Sequence, residues 1–109
     1  MAKKMTYKDT EKLIEKYIGH ETGTHESNGH IIHKYFRLSN WSIDSVSAIL
    51  VSNGFKPIQT SSSYTRDFFS EKYLSEVSYC EGDFYIVQYD SVEDLNAGKN
   101  RAIEFYKEN

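Results

Sequence analysis

The spacing of apolar residues changes character along the chain, and that change places most of its elements. Leu13, Ile14, Tyr17 and Ile18 recur at helical intervals. Thr6-Tyr7-Lys8-Asp9 ahead of them fits a capping box with a short acid, and Gly19 behind them suits a left-handed cap, so a first helix is predicted between these two points. The following stretch, residues 19–29, is rich in turn formers and has no apolar side chain; it reads as an exposed loop, with Asn28-Gly29 as a hairpin turn in the alternative. Residues 30–38 read as a strand with apolar groups on both faces.

The second helix has the clearest ends in the chain. Ser42 is placed to cap it, Trp41 to staple onto Val46, and Gly54 with Phe55 to stop it in a Schellman turn, while Ile43, Val46, Ile49 and Leu50 form its stripe. From Pro57 the period becomes two. Short strands are predicted at residues 58–60, 64–69, 73–80 and 84–89, the last two joined through Glu81-Gly82-Asp83. Tyr73, Val77 and Tyr79 share one strand face, and Phe84 and Ile86 alternate with Tyr85, Val87 and Tyr89. A last helix begins at Ser91, with Glu93 and Asp94 in its first turn; Leu95, Ala102, Phe105 and Tyr106 face the sheet and Gly98 weakens its middle.

The expected fold is therefore α+β, a mainly antiparallel sheet of three to five strands with about three helices in the order α-β-α-β-β-β-α, the helices on one face. A length of 109 residues suits one domain spanning residues 1–109. With 39% apolar and 27% charged residues, the composition is that of a globular chain rather than a disordered one. Met1-Ala2-Lys3-Lys4-Met5-Thr6 is followed by no hydrophobic run, and the single Cys80 forms no internal disulfide, so a soluble protein of the reducing cytoplasm is expected.

Charge changes the functional picture. The net charge is -3, with residues 39–109 carrying most of the acid. Phosphate neutralisation needs clustered cations, so direct nucleic-acid binding is disfavoured. The weak alternative, tyrosines stacking on single strands, has Lys34, Arg37 and Arg66 as its cations.

Four histidines, His20, His25, His30 and His33, fall within fourteen residues beside Glu21 and Glu26 and offer a zinc ligand set. The spacing matches no helical zinc motif, and His30 and His33 point to opposite faces of a strand. No other cofactor is implied. Cys80 reads as a small strand hydrophobe rather than a nucleophile, Ser61-Ser62-Ser63 lacks a nucleophile-elbow context, and no phosphate loop is present. Asp67, Glu71, Glu76, Glu81 and Asp83 read as acids on the solvated edge of the sheet.

What stands out is acid interleaved with tyrosine: Tyr79, Glu81, Asp83, Tyr85, Tyr89, Asp90, Glu93 and Asp94 make a candidate surface for a basic protein partner. The expectation is a non-enzymatic protein-binding module, a phage or bacterial inhibitor of anti-defence (such as anti-CRISPR) or immunity type. Such a protein covers a basic surface of a nuclease or other nucleic-acid-processing enzyme. A metal-binding protein using residues 20–33 is the alternative.

Overall fold

The computed structural model describes residues 7–17, 19–27, 29–37, 43–58, 65–80 and 83–108. The elements are α1 (Tyr7–Tyr17), β1 (Gly19–Ser27), β2 (His30–Arg37), α2 (Ile43–Ser52), β3 (Lys56–Pro57), β4 (Thr65–Ser70), β5 (Ser75–Cys80), β6 (Asp83–Gln88) and α3 (Val92–Glu108). The fold is α+β, and the six strands form one antiparallel sheet in the order β1-β2-β6-β5-β4-β3. After β2 the chain crosses through α2 to the far edge and returns as a meander, so β6 closes against β2.

Strand β1 corrects the expected loop at residues 19–29. Its residues carry no apolar side chain because it is an edge strand, and Thr22, Gly23, Thr24, His25 and Glu26 are all exposed. The hairpin alternative is the one adopted: Gly29 takes φ 78°, a left-handed conformation that glycine reaches without penalty. Of the strand expected at residues 58–60, residues 59 and 60 lie outside the described residues; the pairing described is at Lys56 and Pro57, and Ile58 is buried just beyond it.

Helix α2 ends as its sequence predicts. Gly54 adopts φ 92°, Phe55 N donates to Leu50 O at 3.0 Å and Gly54 N to Val51 O at 3.1 Å, the two bonds of a Schellman turn. Thr6, Trp41 and Ser42, assigned to helix starts, lie outside the described residues. The cap of α3 is present: Asp94 N donates to Ser91 Oγ at 3.1 Å.

The helices do not share one face. Leu13 and Ile14 of α1 and Val46 and Leu50 of α2 pack with Phe55, Phe68, Tyr73, Val77, Phe84 and Ile86 on one side. Here the Thr10 and Ser75 hydroxyls are hydrogen-bonded at 2.9 Å inside the core, and Arg66 Nη1 donates to Ser47 Oγ at 3.1 Å. Leu95 of α3 packs on the opposite side, with Ile58, Phe69, Val87 and Tyr89, flanked by Ile32, Ala102, Ile103 and Tyr106. Alternation along β6 requires this arrangement. Phe84 and Ile86 point one way and Val87 the other, and all three are buried, so each face needs a cover. Phe105, expected against the sheet, is 59% exposed, and Ile103 takes the inward position instead.

Between β4 and β5 the chain turns through Glu71 to Leu74, where Leu74 holds φ 51°. A left-handed leucine costs about 1–2 kcal/mol. The Gln88 side-chain amide offsets it, with Nε2 3.1 Å from Leu74 O and 3.2 Å from Tyr73 O. Gly98 permits the close seating of α3, because a Cβ built there would stand 2.6 Å from Tyr89 Cζ and overlap the hydroxyl. Alanine is the better helix former by about 1 kcal/mol. Nevertheless Gly98→Ala is expected to destabilise the fold by about 1–3 kcal/mol in urea unfolding, because Tyr89 cannot keep its place.

Candidate functional site

The α3-facing side of the sheet is packed at one end and open at the other. A cleft of about 570 Å³ lies there. Its floor is Asp67 of β4 with Glu76 and Ser78 of β5; Tyr85 and Val87 of β6, Tyr89 just after it, Ile32 and His30 of β2 and His25 of β1 continue that floor outward, and Gly98, Arg101, Ala102, Phe105 and Tyr106 of α3 form the opposite wall. The volume suits a small organic ligand or a few side chains, and apolar walls around a few converging polar groups are the usual make-up of a binding pocket.

The floor is built by strand register. Asp67 pairs with Ser78 and Phe69 with Glu76, so Asp67 and Glu76 are diagonal neighbours on one sheet face. Ser78 Oγ donates to Asp67 Oδ1 at 2.6 Å, and Tyr89 Oη donates to Glu76 Oε1 at 2.7 Å. Asp67 also accepts from the Tyr106 hydroxyl and from the Glu76 carboxyl. Three donors converge on one carboxylate, and the Glu76 proton is one of them.

Two adjoining carboxyl groups cannot both ionise in a site shielded from water. Burial, followed by the neighbouring Asp67 charge, pushes Glu76 from its ordinary 4.5 up to about 8. Burial also raises Asp67, although its hydrogen bonds from Ser78, Tyr106 and Glu76 oppose the rise. The Tyr89 hydroxyl is raised too, by burial first and then by the Glu76 charge. At neutral pH the pair therefore holds one proton, shared through the hydrogen bond between the two carboxyls. Arg101, exposed on α3, stands close enough for its charge to lower Glu76 and for its side chain to hydrogen-bond Tyr89.

These acids are where the sequence misleads most. Read as a solvated edge, Asp67 and Glu76 in fact lie on interior strands, and Asp67 is buried. The signal was on the same face: Phe69, Val87 and Tyr89 are apolar at matching positions, so that face is a covered one. Glu71 is exposed as expected, whereas Glu81 lies outside the described residues.

The histidines are divided. His25 and His30 line the cleft, in edge-on contact with Tyr85 and Tyr89 at centroid distances of 6.2 and 4.9 Å. His33 pairs with Ile86, on the other face, and His20 sits opposite Phe36 on β1. The four are thus not one ligand set, and among the described residues no group of three or more His, Cys, Asp or Glu side chains is placed to hold a metal. Cys80 closes β5 opposite Asp83.

The tyrosine and acid surface is likewise divided rather than continuous. Tyr79 packs against Phe84 on the α1 and α2 side at 5.3 Å, Tyr85 is half-buried in the cleft, and Tyr89 is buried with its hydroxyl committed to Glu76. Asp83 lies on β6, and Asp90, Glu93 and Asp94 are exposed at the head of α3. Among the described residues no helix is long and apolar enough to cross a membrane.

The raised carboxyls fix the sign of a pH effect. A folded-state pKa above the unfolded value gives stability that is full below the unfolded pKa and is lost as pH rises through the folded one. Denaturant midpoints are therefore expected to fall between about pH 4.5 and about 8, and Glu76→Gln is expected to flatten that slope. An unaltered slope in the variant would show that Glu76 is not the group responsible. Comparison with protein-family models, with curated proteins and with solved structures finds no match, so the chain's own geometry carries the functional argument.

Proposed function

We propose that the protein is a non-enzymatic binding module for a basic protein partner, a small inhibitor of phage or bacterial type that covers the cationic surface of a nucleic-acid-processing enzyme. The observation that carries this reading is the exposed acid at the head of α3: Asp90 just before the Ser91 cap and Glu93 and Asp94 in the first turn lie within five residues of one another. Such charges steer a basic partner and fix its orientation more than they set affinity. The adjoining groove carries Lys56, Lys72 and Lys99, so the surface presents two signs side by side, which suits one docking orientation.

The state of the buried acids also supports binding over catalysis. A carboxyl pair that activates water holds it between the two groups, whereas Asp67 and Glu76 are hydrogen-bonded directly to each other and to Ser78, Tyr106 and Tyr89. A glycosidase pair must stand about 5 Å or more apart, and carboxyls hydrogen-bonded to each other are closer than that. The tyrosines support nucleic-acid stacking less well, since Tyr73 and Tyr89 are buried and Tyr79 packs on the core.

Reversal of Asp90, Glu93 and Asp94 to lysine is expected to leave the fold intact. It should deplete nucleic-acid-processing enzymes from the proteins captured out of a host lysate, and it should slow association about tenfold or more at low salt. Capture of the same enzymes, at the same rate and salt dependence, by the folded triple variant would refute the reading.

A further inference from the structure

The cleft has a chemistry of its own, separate from the head of α3. Aromatic groups stand around an acidic floor: Tyr85, Tyr89 and Tyr106 with the His30 ring beside them, over Asp67 and Glu76. Ring faces attract cations, and a carboxylate pair out of bulk water is a strong counter-charge for one. We propose that this cleft is a recognition site for a guanidinium group carried on an aliphatic stem, with the Asp67–Glu76 pair as its counter-ion, the Tyr85 and Tyr106 rings as its sides and Ile32, Val87 and Ala102 against its stem.

Two features of the site favour this occupant. Arg101 already stands at the rim of the cleft, where it hydrogen-bonds the Tyr89 hydroxyl and its charge lowers Glu76. Arg101 is exposed, and a guanidinium entering the cleft would compete with it for the charge of Glu76. The second feature is planarity: a guanidinium presents parallel donors to neighbouring carboxyl oxygens and lies flat against aromatic rings, which a tetrahedral ammonium does less well. Its charge also displaces the proton that the pair holds at neutral pH, so binding and proton release are coupled. The site does not depend on Asp90, Glu93 or Asp94, and its failure would leave the partner-binding reading standing.

The test uses the full chain with n-butylguanidinium and its neutral isostere n-butylurea. Capped arginine and citrulline tripeptides form a second pair, and amide shifts are followed by NMR alongside calorimetry in two buffers. Butylguanidinium is expected to shift the Val87, Ala102 and Tyr106 amides and to release protons near pH 7, while butylurea does neither. Asp67→Asn is expected to weaken binding about tenfold or more, and Arg101→Gln, on the exposed rim where folding is not at stake, to strengthen it about threefold or more by removing the internal competitor. Tighter binding of the arginine peptide assigns the site to a protein side chain, and exclusion of that peptide with butylguanidinium retained assigns it to a free small cation. Equal binding of the urea, shifts outside the cleft, no binding at about 10 mM, or no gain in Arg101→Gln would overturn the proposal.

Discussion

A sheet with helices on both faces leaves little solvent to its interior strands, and the buried polar residues on them must find partners within the protein. That constraint shapes this molecule. On the side of α1 and α2 it is met by apolar packing and by the Thr10–Ser75 and Arg66–Ser47 contacts. On the side of α3 it is met by a network in which Ser78, Tyr89 and Tyr106 donate to two acids that share a proton. The seating of α3 at Gly98 holds that network closed, because it sets the Tyr89 hydroxyl where Glu76 can accept from it.

The elements with strong local signals were legible. The stop of α2 at Gly54 and Phe55 and the cap of α3 at Ser91 each follow from a few residues whose conformation is dictated locally, and β5 and β6 pair as their period-two alternation predicts. Strand β1 was not legible, because an edge strand without apolar residues has no period to read and differs from a loop only by its partner. The side on which α3 packs was not legible either. Its stripe of Leu95, Ala102 and Tyr106 demands an apolar surface but does not say which one, and the choice follows from tertiary packing on Phe69, Val87 and Tyr89.

The same gap hid the site. Asp67 and Glu76 occupy positions of period two that normally point to water, and the register that brings them together on one face is a property of pairing between β4 and β5. The two regions that stood out in the sequence nevertheless meet here. His25 and His30 from the histidine-rich segment, and Tyr85 and Tyr89 from the tyrosine-rich one, line a single cleft because β2 and β6 are neighbours across the long crossover. The acids at the head of α3 remain outside it, so the molecule offers an outer charged surface and an inner acid-floored pocket.

The acid network depends on Glu76 keeping its proton at neutral pH against Asp67. Carbon-13 NMR of the glutamate side-chain carboxyls, titrated in the folded protein and assigned with Glu76→Gln, reads that proton directly. The expected result is one carboxyl with a midpoint near 8, absent from the variant. A Glu76 midpoint at the ordinary 4.5 would mean that the pair is open to water, and the acid-floored cleft would not exist as described.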